Sequence, residues 1–173
     1  MKRFAVLTLL ALELAVCGCG NSNTNSTTTT TSASGNWEAQ LSGGTGQASL
    51  LKFIAGFDVT NSGPLTVKGF SFFNKGACFA TVSSESGSAT LTTDASNNVT
   101  GTLTFTVQSG TPAGNTLTLN GTALTGTSSS GKLTGGAVSG TWTLTGGAGD
   151  PGCGNQTGNF TLCQSPNTSC STI

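Results

Sequence analysis

Large apolar residues alternate with threonine, serine or asparagine through much of the second half of the chain. Val99, Gly101, Leu103, Phe105 and Val107 share one parity, and Thr100, Thr102, Thr104 and Thr106 share the other. Leu117 and Leu119 alternate with Thr116, Thr118 and Asn120, and Phe160 and Leu162 with Asn159 and Thr161. Val138, Gly140, Trp142 and Leu144 alternate in the same way with Ser139, Thr141, Thr143 and Thr145. Successive side chains of a strand point to opposite faces, so this pattern predicts half-buried antiparallel strands with a threonine-rich solvated face. A low-complexity Thr/Gly tract would not hold its large apolar residues to one parity.

Earlier in the chain the period is ambiguous. Leu50, Leu51, Phe53, Ile54 and Phe57 fit a helical face, whereas Leu51, Phe53, Ala55, Phe57 and Val59 fit one side of a strand. Gly56 and the surrounding β pattern favour the strand. Leu65, Val67, Phe70, Phe72 and Phe73 follow, and such a concentration of phenylalanine reads as core. Turn chemistry recurs at Asn61-Ser62-Gly63-Pro64, Ser96-Asn97-Asn98, Pro112-Ala113-Gly114-Asn115, Ser128 to Gly131 and Gly146 to Gly154. Short strands between such breakers, with no intervening helical pattern, predict an all-β antiparallel meander that closes as a small barrel or folds as a sandwich. The recurring apolar-Thr/Ser-Gly triplets, such as Leu124-Thr125-Gly126 and Leu144-Thr145-Gly146, place glycines where a small sheet bends.

The domain is expected to span 37–173. It opens with Gly35-Asn36-Trp37, which resembles the G-x-W motif at the first strand of lipocalin- and avidin-like barrels. That resemblance covers three residues and the strand spacing. It implies a barrel whose interior is closed at one end by Trp37. No ligand-contacting residue of those families has a counterpart here.

The N-terminal residues carry a different signal. Lys2 and Arg3 precede an apolar run from Phe4 to Leu12, too short to span a bilayer, which takes about 20 residues. The run ends in Ala15-Val16-Cys17-Gly18-Cys19-Gly20, which resembles the lipobox of bacterial lipoproteins. The resemblance implies a signal peptide over 1–18 and lipidation of Cys19, where Gly18 supplies the small residue beside the bond. Cys17 is the alternative register, preceded by Leu14-Ala15-Val16. Glu13 departs from the pattern by placing a charge directly after the apolar run. Gly rather than Asp follows either cysteine, which in such lipoproteins implies the outer membrane. Residues 19–36, rich in Asn, Ser and Thr, are expected to form a disordered tether. Its Gly20–Asn36 part would reach roughly 20–25 Å as a flexible coil.

Composition narrows the function. Charged residues make up only 7% of the chain, against roughly 25% in an average soluble domain, with no net charge. No basic patch exists for nucleic acid. His and Tyr are absent, and no Arg follows Arg3, so a hydrolase triad lacks its base. Glu38, Asp58, Glu85, Asp94 and Asp150 are scattered, mostly beside turns, and read as solvated surface rather than paired catalytic carboxylates. Asp150 in its Gly-rich loop reads as a turn residue, not a calcium ligand. No enzyme activity, metal or cofactor is expected.

Cys78, Cys153, Cys163 and Cys170 remain in the exported part, an even set that reads as two disulfides with three connectivities open. Cys163–Cys170 with Cys78–Cys153 is one pairing, and Cys78 with Cys163 is the main alternative. The expected protein is a membrane-anchored, non-catalytic module for a small apolar or carbohydrate ligand. The alternative is a structural or surface-coat lipoprotein without a small-molecule ligand.

Overall fold

In the computed structural model, residues 31–46, 48, 51–60, 62–74 and 77–165 are described. The expected signal peptide, Cys17, Cys19 and Cys170 lie outside the described residues. Nine strands form one sheet: β1 (Ser32–Ser42), β2 (Lys52–Thr60), β3 (Ser62–Pro64), β4 (Thr66–Asn74), β5 (Thr81–Thr93), β6 (Asn98–Thr111), β7 (Thr116–Ser129), β8 (Lys132–Thr145) and β9 (Gln156–Gln164). The order across the sheet is β3-β5-β6-β7-β8-β9-β1-β2-β4. The meander predicted from β6 through β9 is present, in an almost closed barrel. Closure comes from β1 and β9 pairing antiparallel, from Trp37↔Gln164 to Ser42↔Asn159.

The inner face follows the sequence parity. Val99, Leu103, Phe105 and Val107 of β6 are buried, as are Leu117 and Leu119 of β7, Val138, Trp142 and Leu144 of β8, and Phe160 and Leu162 of β9. The ambiguous early segment is strand, with Phe53, Ala55, Phe57 and Val59 buried on one side. A register shift between Gly121 and Ala123 moves the inward row of β7 by one, so Leu124 is buried rather than Ala123. Gly101 and Gly140 sit where neighbouring strands come too close for a side chain. A Cβ on Gly101 would strike the carbonyl of Thr90, and one on Gly140 that of Asn120.

Two expectations are corrected. Ser62-Gly63-Pro64 is not only a breaker: it is β3, pairing Ser62↔Thr90, Gly63↔Ala89 and Pro64↔Ser88. Proline is tolerated there because β3 is a sheet edge. The sheet also starts earlier than Trp37. β1 begins at Ser32, and both Thr31 and Ala33 are 1% exposed. The last residues of the expected tether therefore belong to the barrel wall, where Ala33 pairs with Val59. Thr31 Oγ1 is also hydrogen-bonded to Thr93 Oγ1 at 2.7 Å and to Ser128 Oγ at 3.1 Å.

The interior holds one continuous hydrophobic cluster. Phe53 packs against Phe70, Phe72 and Phe105 with ring centroids 5.0, 5.9 and 5.8 Å away. Phe105 reaches Phe57, which stacks on Trp37 at 5.2 Å and 12°, and Phe72 reaches Phe79 at 5.0 Å. These rings form one connected aromatic cluster. Gln164 completes the wall where β9 ends. Its amide donates to the carbonyls of Ser34 (2.8 Å) and Leu133 (2.9 Å) and accepts from Gly136 N–H (3.0 Å), bridging β1 and β8. Gln164→Leu, which keeps the bulk, is expected to cost about 2 kcal/mol by stranding those groups. Urea unfolding checks this, and a loss below about 0.5 kcal/mol would mean the bridge contributes nothing net.

Candidate functional site

The barrel is not sealed along its whole length. After β3 pairs with β5, Leu65 N–H donates to Gly87 O at 2.9 Å, and the chain then crosses to the other side as β4, which pairs with β2. β4 and the 81–87 part of β5 are thus the two facing margins of the sheet. The seam is closed at Leu65 and opens towards Asn74 and Thr81. In it lies a cleft of about 340 Å³ lined by Phe70, Phe72, Phe79, Thr81, Val82 and Glu85, among others. That volume is at the small end of ligand sites, which run roughly 300–1,000 Å³.

Glu85 gives the cleft its chemistry. It pairs with Val107, which is fully buried, and directly opposed residues of antiparallel strands share a face. The same row of β5 continues through Gly87, Ala89 and Leu91, opposite Phe105, Leu103 and Gly101. Glu85 is therefore a half-buried carboxylate on the inner face, not the solvated surface residue the sequence suggested. Among the described residues it is the only charged side chain on that face. The signal was present in the parity of Glu85, Gly87, Ala89 and Leu91, but serines at 83, 84, 86 and 88 blur the alternation. A register shift at Val82/Ser84 blurs it further.

The other carboxylates do structural work on the surface. Asp58 meets Lys68 at 3.7 Å in an exposed pair. Asp94 accepts from Asn98 Nδ2 and from the N–H groups of Asn98 and Ser96, which together hold its carboxyl below the usual range. Asp150 Oδ1 accepts from Gly152 N–H at 2.7 Å and so caps the 3-10 turn Pro151–Cys153. Glu38 is exposed on β1. No three His, Cys, Asp or Glu gather as a metal site among the described residues.

The end of the barrel nearest the cleft is fastened by a disulfide between Cys78 and Cys153, both buried, with Cα atoms 5.3 Å apart. It joins the β4–β5 loop to the β8–β9 loop, and it sets Phe79, next in sequence to Cys78, against Phe72. Cys163 is also disulfide-bonded. Sequence reasoning missed Asn115, a 1% exposed side chain between the same loops. Its Nδ2 donates to Cys78 O and Ala148 O (both 2.9 Å), and its Oδ1 accepts from Gly147 N–H (3.0 Å) and Ala148 N–H (2.9 Å).

Trp37 is wholly buried, stacked on Phe57, and its Nε1 has no hydrogen-bond partner among the described residues. Trp142, equally buried, donates from Nε1 to Ser42 O at 2.9 Å. Beside these buried side chains, the lateral cleft offers space of ligand size.

This architecture defines a small antiparallel β-barrel with a side opening. No protein family, curated protein or solved structure matches the chain.

Proposed function

We propose that this chain is a lipid-anchored envelope protein without catalytic activity that binds a small ligand in the β4–β5 cleft. The observation that carries the reading is a half-buried carboxylate, Glu85, gathered with the half-buried rings of Phe70 and Phe72 in one opening of the barrel wall. Catalysis finds no support in a chain without His or Tyr whose other described carboxylates build turns or lie on the surface. The barrel's polarity fits a domain held beside a membrane: its inside is apolar and its outside rich in hydroxyls, the reverse of a membrane-spanning barrel. The lipobox-like residues 15–20 supply the attachment, and two or more acyl chains anchor stably.

Native mass spectrometry of protein purified from its own host tests the binding reading. A stoichiometric non-lipid adduct, lost on Ala80→Trp at the cleft rim, supports it, and repeated absence of any adduct sinks it. For the anchor, Cys19→Ala is expected to abolish fatty-acid labelling while Cys17→Ala leaves it intact. Labelling lost only with Cys17→Ala would put the attachment at Cys17.

A second reading has its own observation. Ser88, Thr104, Asn120, Thr141, Asn159 and Ser42 stand in register across six strands, all exposed. At the usual strand spacing this row of hydrogen-bonding side chains extends about 24 Å. It suits contact with a hydrated polymer in a structural or coat role. Hydrogen exchange in the host envelope separates the two. Protection along this row favours the coat, and protection confined to β4 and β5 favours the binder.

A further inference from the structure

We propose that the β4–β5 cleft selects a cationic ligand, an ammonium or guanidinium group on a short apolar stem. This rests on the cleft being the ligand site, and it adds what the site recognises.

The charge pattern of the barrel leads to this class. An inner face built from Leu, Val, Phe and Trp carries one carboxylate, and it is placed where the sheet is open. Glu85 has no ion-pair or hydrogen-bond partner among the described residues. A half-buried carboxylate with no partner of its own presents an unneutralised charge to whatever enters the cleft. The one described ion pair, Asp58 with Lys68, lies on the outer face and offers no cation to the cleft.

The surrounding rings suit the same ligand. Phe70 and Phe72, both half-buried, stand perpendicular, with centroids 4.9 Å apart and planes at 86°, and the fully buried Phe79 backs Phe72 at 5.0 Å. Perpendicular rings turn face and edge to a common corner, and a ring face attracts a cation within about 6 Å of its centroid. Val82 supplies apolar wall and Thr81 a hydroxyl residue at the margin. An anion would meet Glu85 with like charge. A neutral apolar group would leave the carboxylate without a partner. An ammonium on an alkyl stem satisfies both halves of the site. The source of that group, a free amine or a lysine side chain of an extended peptide, is a separate variable with the same chemistry.

The test uses the full-length protein and short probes: hexylammonium, hexanol, hexanoate and an acetylated Gly-Lys-Gly peptide. Affinity comes from calorimetry, and location from amide shifts of Phe70, Phe72, Val82 and Glu85. Hexylammonium is expected to bind at least about tenfold more tightly than hexanol, and hexanoate not at all, in keeping with a charge-assisted contact. Glu85→Gln should erase that preference while hexanol binding stays within about twofold, which also shows the variant is folded. Equal binding of hexylammonium and hexanol, with shifts in the cleft, overturns cation selection and leaves the cleft as a ligand site. Failure of every probe to shift these amides overturns both readings. Lys75→Met is expected to change nothing, whereas a tenfold gain would assign the carboxylate to this chain's own lysine and overturn the proposal. Binding by the peptide as well as the amine points to a polypeptide source, and binding by the amine alone to a small molecule; either supports the class.

Discussion

Replacing Cys78 and Cys153 together by alanine is expected to lower the unfolding free energy by about 4–5 kcal/mol. The bond links residues 75 apart in sequence. In the chain-entropy account, closing a loop of that length restrains the unfolded chain by about this amount. For a domain of ordinary stability, roughly 5–15 kcal/mol, the loss is about a quarter or more of the total. Both cysteines are fully buried, so alanine adds a small cavity term in the same direction. Equilibrium urea unfolding of oxidised wild type and the double variant measures it through the midpoint at constant slope. A loss below about 1 kcal/mol would show that the two loops are held without the bond. The disulfide also reaches the cleft. Phe79 follows Cys78 and packs on Phe72, so the double variant is expected to weaken cleft binding as well as stability.

The strands that were easiest to read are those whose pairing is local. β6 through β9 follow one another across the sheet, so each alternation in sequence maps directly onto one inner face. Trp37 and most of the phenylalanines were legible as buried because large rings have few other places in a small barrel. Phe73, expected in the core, is instead 62% exposed, because it takes the outer parity of β4 next to the inward Phe72. The cleft was not legible. It exists because β3 and β4 belong to opposite margins of the sheet although only Leu65 lies between them. Ser62-Gly63-Pro64 looks like a turn by composition, and only long-range pairing with Ser88, Ala89 and Thr90 makes it a strand. Glu85 was misread for a related reason. A carboxylate among serines looks solvated until Val107 stands opposite it and fixes its face. The start of β1 was misplaced because Ser32 to Asn36 have no bulk to signal burial, whereas pairing of Ser32–Asn36 with Gly56–Thr60 supplies backbone partners regardless of side chain.

Asn115→Ala is expected to cost about 3–4 kcal/mol, the second large effect, from a residue at the foot of a tight turn. Four hydrogen bonds from one amide end at Cys78, Gly147 and Ala148, and its backbone N–H is taken by Ser109 Oγ at 2.9 Å. Truncation leaves two carbonyls and two N–H groups without that partner at the sheltered end of the barrel. Such groups cost about 1–3 kcal/mol each when water cannot replace the bond, and partial access of water at Ala148 keeps the sum below four full penalties. Asp would not substitute, since it keeps the acceptor but loses both donations to Cys78 O and Ala148 O. Because this amide and the disulfide grip the same two loops, their losses should not add. Once Cys78 and Cys153 are alanine, the loops are free to move and Asn115 has less fixed geometry to satisfy. The triple variant is expected to lose at least about 1 kcal/mol less than the sum of the separate changes. A double-mutant cycle in urea measures that coupling. Strict additivity would mean that the amide and the bond hold different structures, so that the barrel end is not one cooperative clamp behind the cleft.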